Sequence, residues 1–146
     1  MKSSQDPTEA AFYQAPLTYV GAFYLALIIW TIVSVTFLGL REWTNWTQLL
    51  VIAFILVFTW YFSLRISYLA RMDEDGTIWL RSLTRVMRIH ASKIEMVEGP
   101  HLPIGFMRFR LEREKVYLFC VIKDKNLQTI LSLIRKANPE VRFRNL

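Results

Sequence analysis

The sequence predicts a membrane α-helical hairpin joined to an α+β domain, an antiparallel sheet capped by a C-terminal helix. Three observations carry that expectation. Residues 10–40 and 43–64 contain no charged side chain. Only Arg41 and Glu42 stand between the two stretches. Beyond residue 64 the charges return, and the apolar residues begin to alternate.

A helix needs about 20 apolar residues to cross roughly 30 Å of hydrocarbon. Residues 19–40 and 43–64 each supply that length. No Asp, Lys or Arg opposes insertion, and Leu, Ile, Val and Phe favour it by several tenths of a kcal/mol each. A chain of 146 residues has too little remaining mass to bury two helices that are apolar all round. The first stretch reads as a retained span and not a cleaved leader. Asp6 and Glu9 precede it, the apolar run is long for a leader, and no A-x-A site follows it.

Charge sets the expected orientation. Residues 1–68 carry Lys2, Arg41 and Arg65 against Asp6, Glu9 and Glu42, so the net charge of +6 falls in residues 69–146. Basic residues close to a span stay on the cytoplasmic side. Both termini are therefore expected in the cytoplasm, as for a protein of a bacterial inner membrane, with residues 41–47 forming a short outer turn. Residues 1–18 are expected to be a cytoplasmic tail. Tyr19, Trp60 and Tyr61 near the inner side, and Trp43 and Trp46 near the outer, are the expected interface anchors, because their rings are apolar at one end and wet at the other. Neither span contains an ionisable residue of the kind that ion pathways and proton relays use. Thr31, Ser34, Thr36, Thr59 and Ser63 are the hydroxyl groups to be accounted for.

Residues 65–146 read as the β-domain. Asp73-Glu74-Asp75-Gly76 is a turn signal. A strand is expected on either side of it, from near Ser67 and over residues 77–82. Residues 85–90 form a further candidate, and 92–97 an extension or short link. Gly99-Pro100-His101-Leu102-Pro103 is a loop, since two prolines block regular structure. Over 106–114 Met107, Phe109 and Leu111 should face inward and Arg108, Arg110 and Glu112 outward. Residues 115–122 are apolar on both faces, which suits a central strand. A helix over 125–137 starts at an Asp124 cap, buries Leu127, Ile130, Leu131 and Ile134, and stops at Asn138-Pro139. Four or five antiparallel strands and one helix are thus expected, with Arg142, Phe143 and Arg144 fraying.

This order of two apolar helices, D-x-D-G-T-I at residues 73–78, S-K-I-E-M-V-E at 92–98, a hairpin and a last helix resembles the bacterial pleckstrin-homology-like two-pass membrane proteins. The resemblance runs over residues 24–141. It implies a partial PH-like barrel capped by the C-terminal helix on the cytoplasmic side. It also implies a binding or assembly role, and that group has no common catalytic residues to carry over.

The residues themselves point away from catalysis. Cys120 is the single cysteine and sits in an apolar strand, where a thiol usually packs. His90 and His101 lack companions at metal-ligand spacing. Ser92 and Asp124 lie in no nucleophile motif, and no glycine-rich phosphate loop is present. No catalytic residue, metal or cofactor is expected. Arg81, Arg88, Arg108 and Arg110 fall on the outward strand positions and would form a cationic patch if their strands were neighbours. Anionic lipid head groups attract such a patch, whereas the plain reading is a solvated face. Nucleic acid is not expected, because the phenylalanines among those arginines belong to the core.

The expected function is therefore a two-pass membrane-anchored interaction or assembly module. Its expected partners are the lipid bilayer, anionic lipids, and a membrane protein or a second copy of itself. An oligomeric transport or channel component lined by Thr31, Ser34, Thr59 and Ser63 is the alternative. An enzyme acting at the lipid interface is the further one.

Overall fold

The computed structural model describes residues 9–40 and 45–146. It divides into two units: Pro16–Leu64, and the residues up to Ala15 together with Arg65–Leu146.

The first unit is a helix pair. α1 spans Leu17–Leu40 and α2 spans Trp46–Leu64. At 1.5 Å per residue these are about 36 and 28 Å long, and both are long and apolar enough to cross a membrane. The Pro16 carbonyl accepts from the N–H groups of Tyr19 and Val20, so the proline opens α1 without losing a helical bond. Asn45 opens α2, its side-chain oxygen accepting from the Thr47 N–H at 3.0 Å. The helices run antiparallel, since Tyr24 meets Ser63 and Thr31 meets Trp60. Arg41, Glu42 and Trp43 lie outside the described residues.

The second unit contains two four-stranded sheets. β1 (Glu9–Gln14), β2 (Leu69–Asp73), β3 (Thr77–Arg81) and β4 (Val86–His90) form an antiparallel sheet in that order. The second sheet is built from β5 (Ile94–Glu98), β6 (Ile104–Leu111), β7 (Lys115–Val121) and β8 (Arg142–Arg144), in the order β7-β6-β5-β8. β8 joins parallel to β5, and the other pairs are antiparallel. Helix α3 (Lys125–Ala137) lies between β7 and β8 in the chain. Ser67 bridges to Leu118, tying the approach to β2 onto β7.

Period-two patterning explains the burial. Ala70 and Met72, Ile78 and Leu80, and Ile89 are buried, while the residues between them face outward. Met107, Phe109, Val116 and Leu118 do the same in the second sheet, Phe119 and Cys120 are both buried at the end of β7, and Leu127, Ile130, Leu131 and Ile134 of α3 join the core. Asp124 caps α3 by accepting from the N–H groups of Asn126 and Leu127. At the other end the Asn138 amide donates to the carbonyls of Ala91 and Ile94, at 3.1 and 2.9 Å. Those two carbonyls flank a short 3₁₀ turn that links the two sheets. Gly76 adopts φ +85° in the β2–β3 turn, a conformation that glycine reaches without strain.

Three expectations are corrected. The stretch read as a plain tail contains β1, because Tyr13 alternates into the core and β2 offers an antiparallel edge. Among the described residues, 65–146 hold seven strands where four or five were expected, and β1 is an eighth. Residues 142–144 do not fray but form β8, held by pairing with β5 and by the Gly99 N–H donating to the Arg144 carbonyl at 2.9 Å.

Candidate interaction surfaces

The helix pair presents large apolar side chains outward, among them Leu25, Ile29, Val33, Leu50, Phe54 and Val57. Phe54, Phe58 and Phe62 stack in a ladder along α2. The hydroxyl groups do not break this surface. Thr31, Ser34, Thr36 and Thr59 each donate to the carbonyl four residues earlier, at 2.7–2.8 Å. Such back-bonding satisfies the hydroxyl hydrogen within its own helix. Thr31 also accepts from the Trp60 indole N–H at 2.9 Å, and the Tyr24 hydroxyl donates to the Ser63 carbonyl at 2.8 Å. Two polar contacts thus join the helices.

Among the expected anchors, Tyr19 and Tyr61 are exposed near the paired ends Leu17 and Leu64, and Trp46 is 81% exposed at the start of α2. Trp60 differs, since its polar edge is turned to Thr31. Trp43 lies outside the described residues.

The outer face of the first sheet is a cation–aromatic array. Strand register aligns Phe12, Arg71, Trp79 and Arg88 in one row across β1–β4. The Trp79 indole N–H donates to Asp73 Oδ2 at 2.7 Å, and Arg71 Nε reaches Asp73 Oδ1 at 3.3 Å. The Arg88 guanidinium stands 3.7 Å from the centre of the Trp79 ring. This geometry draws the cation to the negative face of the ring. The next row aligns Gln14, Leu69, Arg81 and Val86.

The four arginines expected to form one patch divide between the sheets. Arg81 and Arg88 lie on neighbouring strands β3 and β4, and Arg108 and Arg110 both lie on β6. Arg108 pairs with Glu98, which Arg144 also approaches. Arg110 faces Glu95 at 3.8 Å, both half exposed, a pair that adds little stability. The charges on β6 are thus matched by those on β5. Arg81 is exposed and makes no ion pair among the described residues.

A groove of about 600 Å³ runs beside edge strand β4, between Arg88–His90 and the 112–114 turn. Arg88, Lys93 and Arg113 share it with Glu95, Glu112 and Glu114, so neither sign of charge dominates. At its end, His90 Nδ1 accepts from the Ser92 N–H at 3.3 Å and lies 2.7 Å from Ser92 Oγ. With Nδ1 an acceptor, Nε2 carries the hydrogen and donates to the Asp75 carbonyl at 3.2 Å. His90 therefore pins the β2–β3 turn to the 3₁₀ turn. Nearby, the Thr77 backbone N–H, with the Thr77 hydroxyl in support, holds the Asp75 carboxyl below its ordinary range.

Cys120 is fully buried, and burial pushes its thiol up to about 11, so it holds its proton at neutral pH. His101 is exposed in its loop. No group of three or more His, Cys, Asp or Glu among the described residues is placed to hold a metal ion. Comparison with protein-family models, curated proteins and solved structures finds no match to the chain.

Sequence reasoning missed β1 as well as β8. The one signal of β1 is Tyr13, the last large residue before Pro16 that alternates inward. Its partner lies far along the chain, and no turn residue announces the pairing.

Proposed function

We propose that this chain is a two-pass membrane-anchored interaction or assembly module, with α1 and α2 as the anchor and the two-sheet unit as the binding part. One observation carries the reading. The apolar helix pair is inserted between two hydrogen-bonded neighbours, β1 and β2. Gln14 pairs with Leu69, and the Ala15 N–H donates to the Tyr68 carbonyl at 2.8 Å. A segment whose two ends meet in one sheet must cross a bilayer an even number of times. An outward apolar surface whose hydroxyls are satisfied within their own helices suits lipid contact.

The charge bias of residues 69–146 supports a cytoplasmic, inner-membrane placement of the two-sheet unit. The paired sheets with a late helix support a PH-like binding role over a catalytic one. The anchored module is tested in two steps. Membrane-impermeant thiol labelling of intact cells should reach a cysteine placed at Asn45 but not one placed at Arg144. Native mass measurement after mild-detergent extraction should then show a second copy or a co-purifying membrane protein. Labelling at both positions, or a strictly monomeric particle, refutes the corresponding half.

A further inference from the structure

β3 joins two turns of opposite charge. The β2–β3 turn at one end carries Asp73, Glu74 and Asp75, and the β3–β4 turn at the other carries Arg81 and Arg85. Register shows which end is tethered to the helices. Gln14, Leu69, Arg81 and Val86 share one row, and the chain leaves that row toward α1 after Gln14 and enters it from α2 before Leu69.

The turn at the tethered end has an unusual tip. Ser82 N–H donates to the Arg85 carbonyl at 2.8 Å, and Arg85 N–H donates to Ser82 Oγ at 3.1 Å. That leaves Leu83 and Thr84 as a two-residue loop. Leu83 is 56% exposed and Val86 57% exposed. Tight turns favour Gly, Asn, Asp, Ser and Pro, each for a conformational or hydrogen-bonding reason that leucine lacks. A single exposed leucine is ordinary. Here two exposed apolar residues on a hydrogen-bonded hairpin lie between arginines at the tethered end of the sheet, with the carboxylates at the opposite end.

We infer that the β3–β4 hairpin docks on the anionic leaflet beside the anchor, with Leu83 and Val86 entering the head-group region and Arg81 and Arg85 pairing with lipid phosphates. The inference rests on the two-pass reading. Lipid is the occupant because both chemistries coincide at this end. Apolar side chains at the tip suit the acyl boundary, and bases behind them suit an anionic head-group layer. The acidic turn lies at the opposite end of β3 from these bases. Each base near such a surface shifts the docked-to-undocked ratio roughly fivefold.

The test uses the full chain, reconstituted as single copies in nanodiscs, so that no other protein can cover the hairpin. A cysteine is placed by Leu83→Cys, Glu74→Cys or Val57→Cys and labelled with an environment-sensitive fluorophore. Buried Cys120 stays unlabelled at neutral pH. Quenching by lipids carrying a shallow spin label reads head-group contact at 83 and 74, and quenching by a deep spin label reads core contact at 57. In phosphatidylcholine–phosphatidylglycerol discs, probes at 57 and 83 should be quenched and the probe at 74 should not. In pure phosphatidylcholine, quenching at 83 should fall while quenching at 57 holds. Arg81→Glu with Arg85→Glu should abolish the difference between the two lipids at 83. Quenching at 57 with position 83 matching position 74 overturns the docking and leaves the two-pass reading standing. Equal quenching at 83 in both lipids overturns the anionic preference. Absence of quenching at 57 removes both readings.

Discussion

The Tyr13 hydroxyl accepts a hydrogen bond from the Val121 backbone N–H at 3.1 Å, across 108 residues of sequence. The same hydroxyl lies 3.5 Å from the Phe119 carbonyl, to which it donates. Tyr13 is fully buried on β1, so the strand that precedes the apolar helices is locked to β7 of the other sheet. Tyr13→Phe keeps the ring and removes both contacts, leaving the Val121 N–H without this acceptor. The expected loss is about 1–3 kcal/mol, read from urea unfolding in detergent. An unchanged midpoint would show that β1 is held by its β2 pairing alone.

The burial of Tyr13 also makes stability depend on alkaline pH. Burial, the leading cause, pushes the Tyr13 hydroxyl up to about 12. The folded state therefore prefers the neutral phenol. The stabilisation is complete below about pH 10, the ordinary tyrosine value, and is lost as pH rises through 12. Cys120, also raised by burial, contributes with the same sign. Between pH 9 and 11.5 the native chain should lose more stability than Tyr13→Phe, while the two curves run parallel from pH 6 to 8. Parallel curves throughout would remove Tyr13 from the alkaline transition.

Asn138 is expected to be sensitive to small changes. Its amide donates to both the Ala91 and Ile94 carbonyls, and its backbone N–H closes α3 on the Ile134 carbonyl. Asn138→Leu is close in size but has no donor, and should cost about 1–3 kcal/mol. Hydrogen exchange should quicken at the Ile94 amide, whose partner is the Ala91 carbonyl. If only the α3 amides respond, Asn138 acts as a helix stop and not as a link.

Gly99, just past β5, stands close to the chain that follows β8. A Cβ there would stand 2.5 Å from the Asn145 carbonyl oxygen and 2.7 Å from Leu146 Cδ2. Gly99→Ala should therefore displace the chain after Phe143 and speed carboxypeptidase trimming severalfold, leaving α3 intact. Trimming at the native rate would mean that β8 opens readily without the substitution.

Within the helix pair, Thr31 and Ser34 separate two kinds of hydroxyl. Thr31 both donates to Leu27 and accepts from Trp60, whereas Ser34 donates to Trp30 in its own helix. Thr31→Val should cost about 1 kcal/mol, in the range of single hydrogen bonds between membrane helices, and should shift Trp60 emission. Ser34→Ala should do neither. Equal effects would mean that helix propensity, not the indole contact, is being measured.

Much of this fold is legible in the sequence, for identifiable reasons. The apolar stretches, the Asp73–Gly76 turn, the alternation at 107–111 and the spacing of Leu127, Ile130, Leu131 and Ile134 are local patterns, and the structure places elements on each. β1 and β8 are not legible in this way. They are six and three residues long, and each is defined by a partner strand distant in sequence. The four arginines do not all fall on neighbouring strands, for a related reason. Facing outward is a local property of alternation, but belonging to the same sheet is not. Arg81 and Arg88 share a sheet, whereas Arg108 and Arg110 meet glutamates on β5. Leu83 lies between the expected strands 77–82 and 85–90, and its position at the tethered end follows from register.

The pairing of β1 with β2 also bears on how the protein is made. β1 leaves the ribosome first, but its partner follows only after both apolar helices, 55 residues from Gln14 to Leu69. At 5–20 residues per second that is a wait of several seconds. In the proposed arrangement, a hairpin that inserted only one helix would strand β1 and β2 on opposite faces of the membrane. The first sheet would then lack an edge, and Val121 would have no tyrosine. In that arrangement completion of the β-domain would act as a topological checkpoint, since only chains that return to their starting side could close the fold.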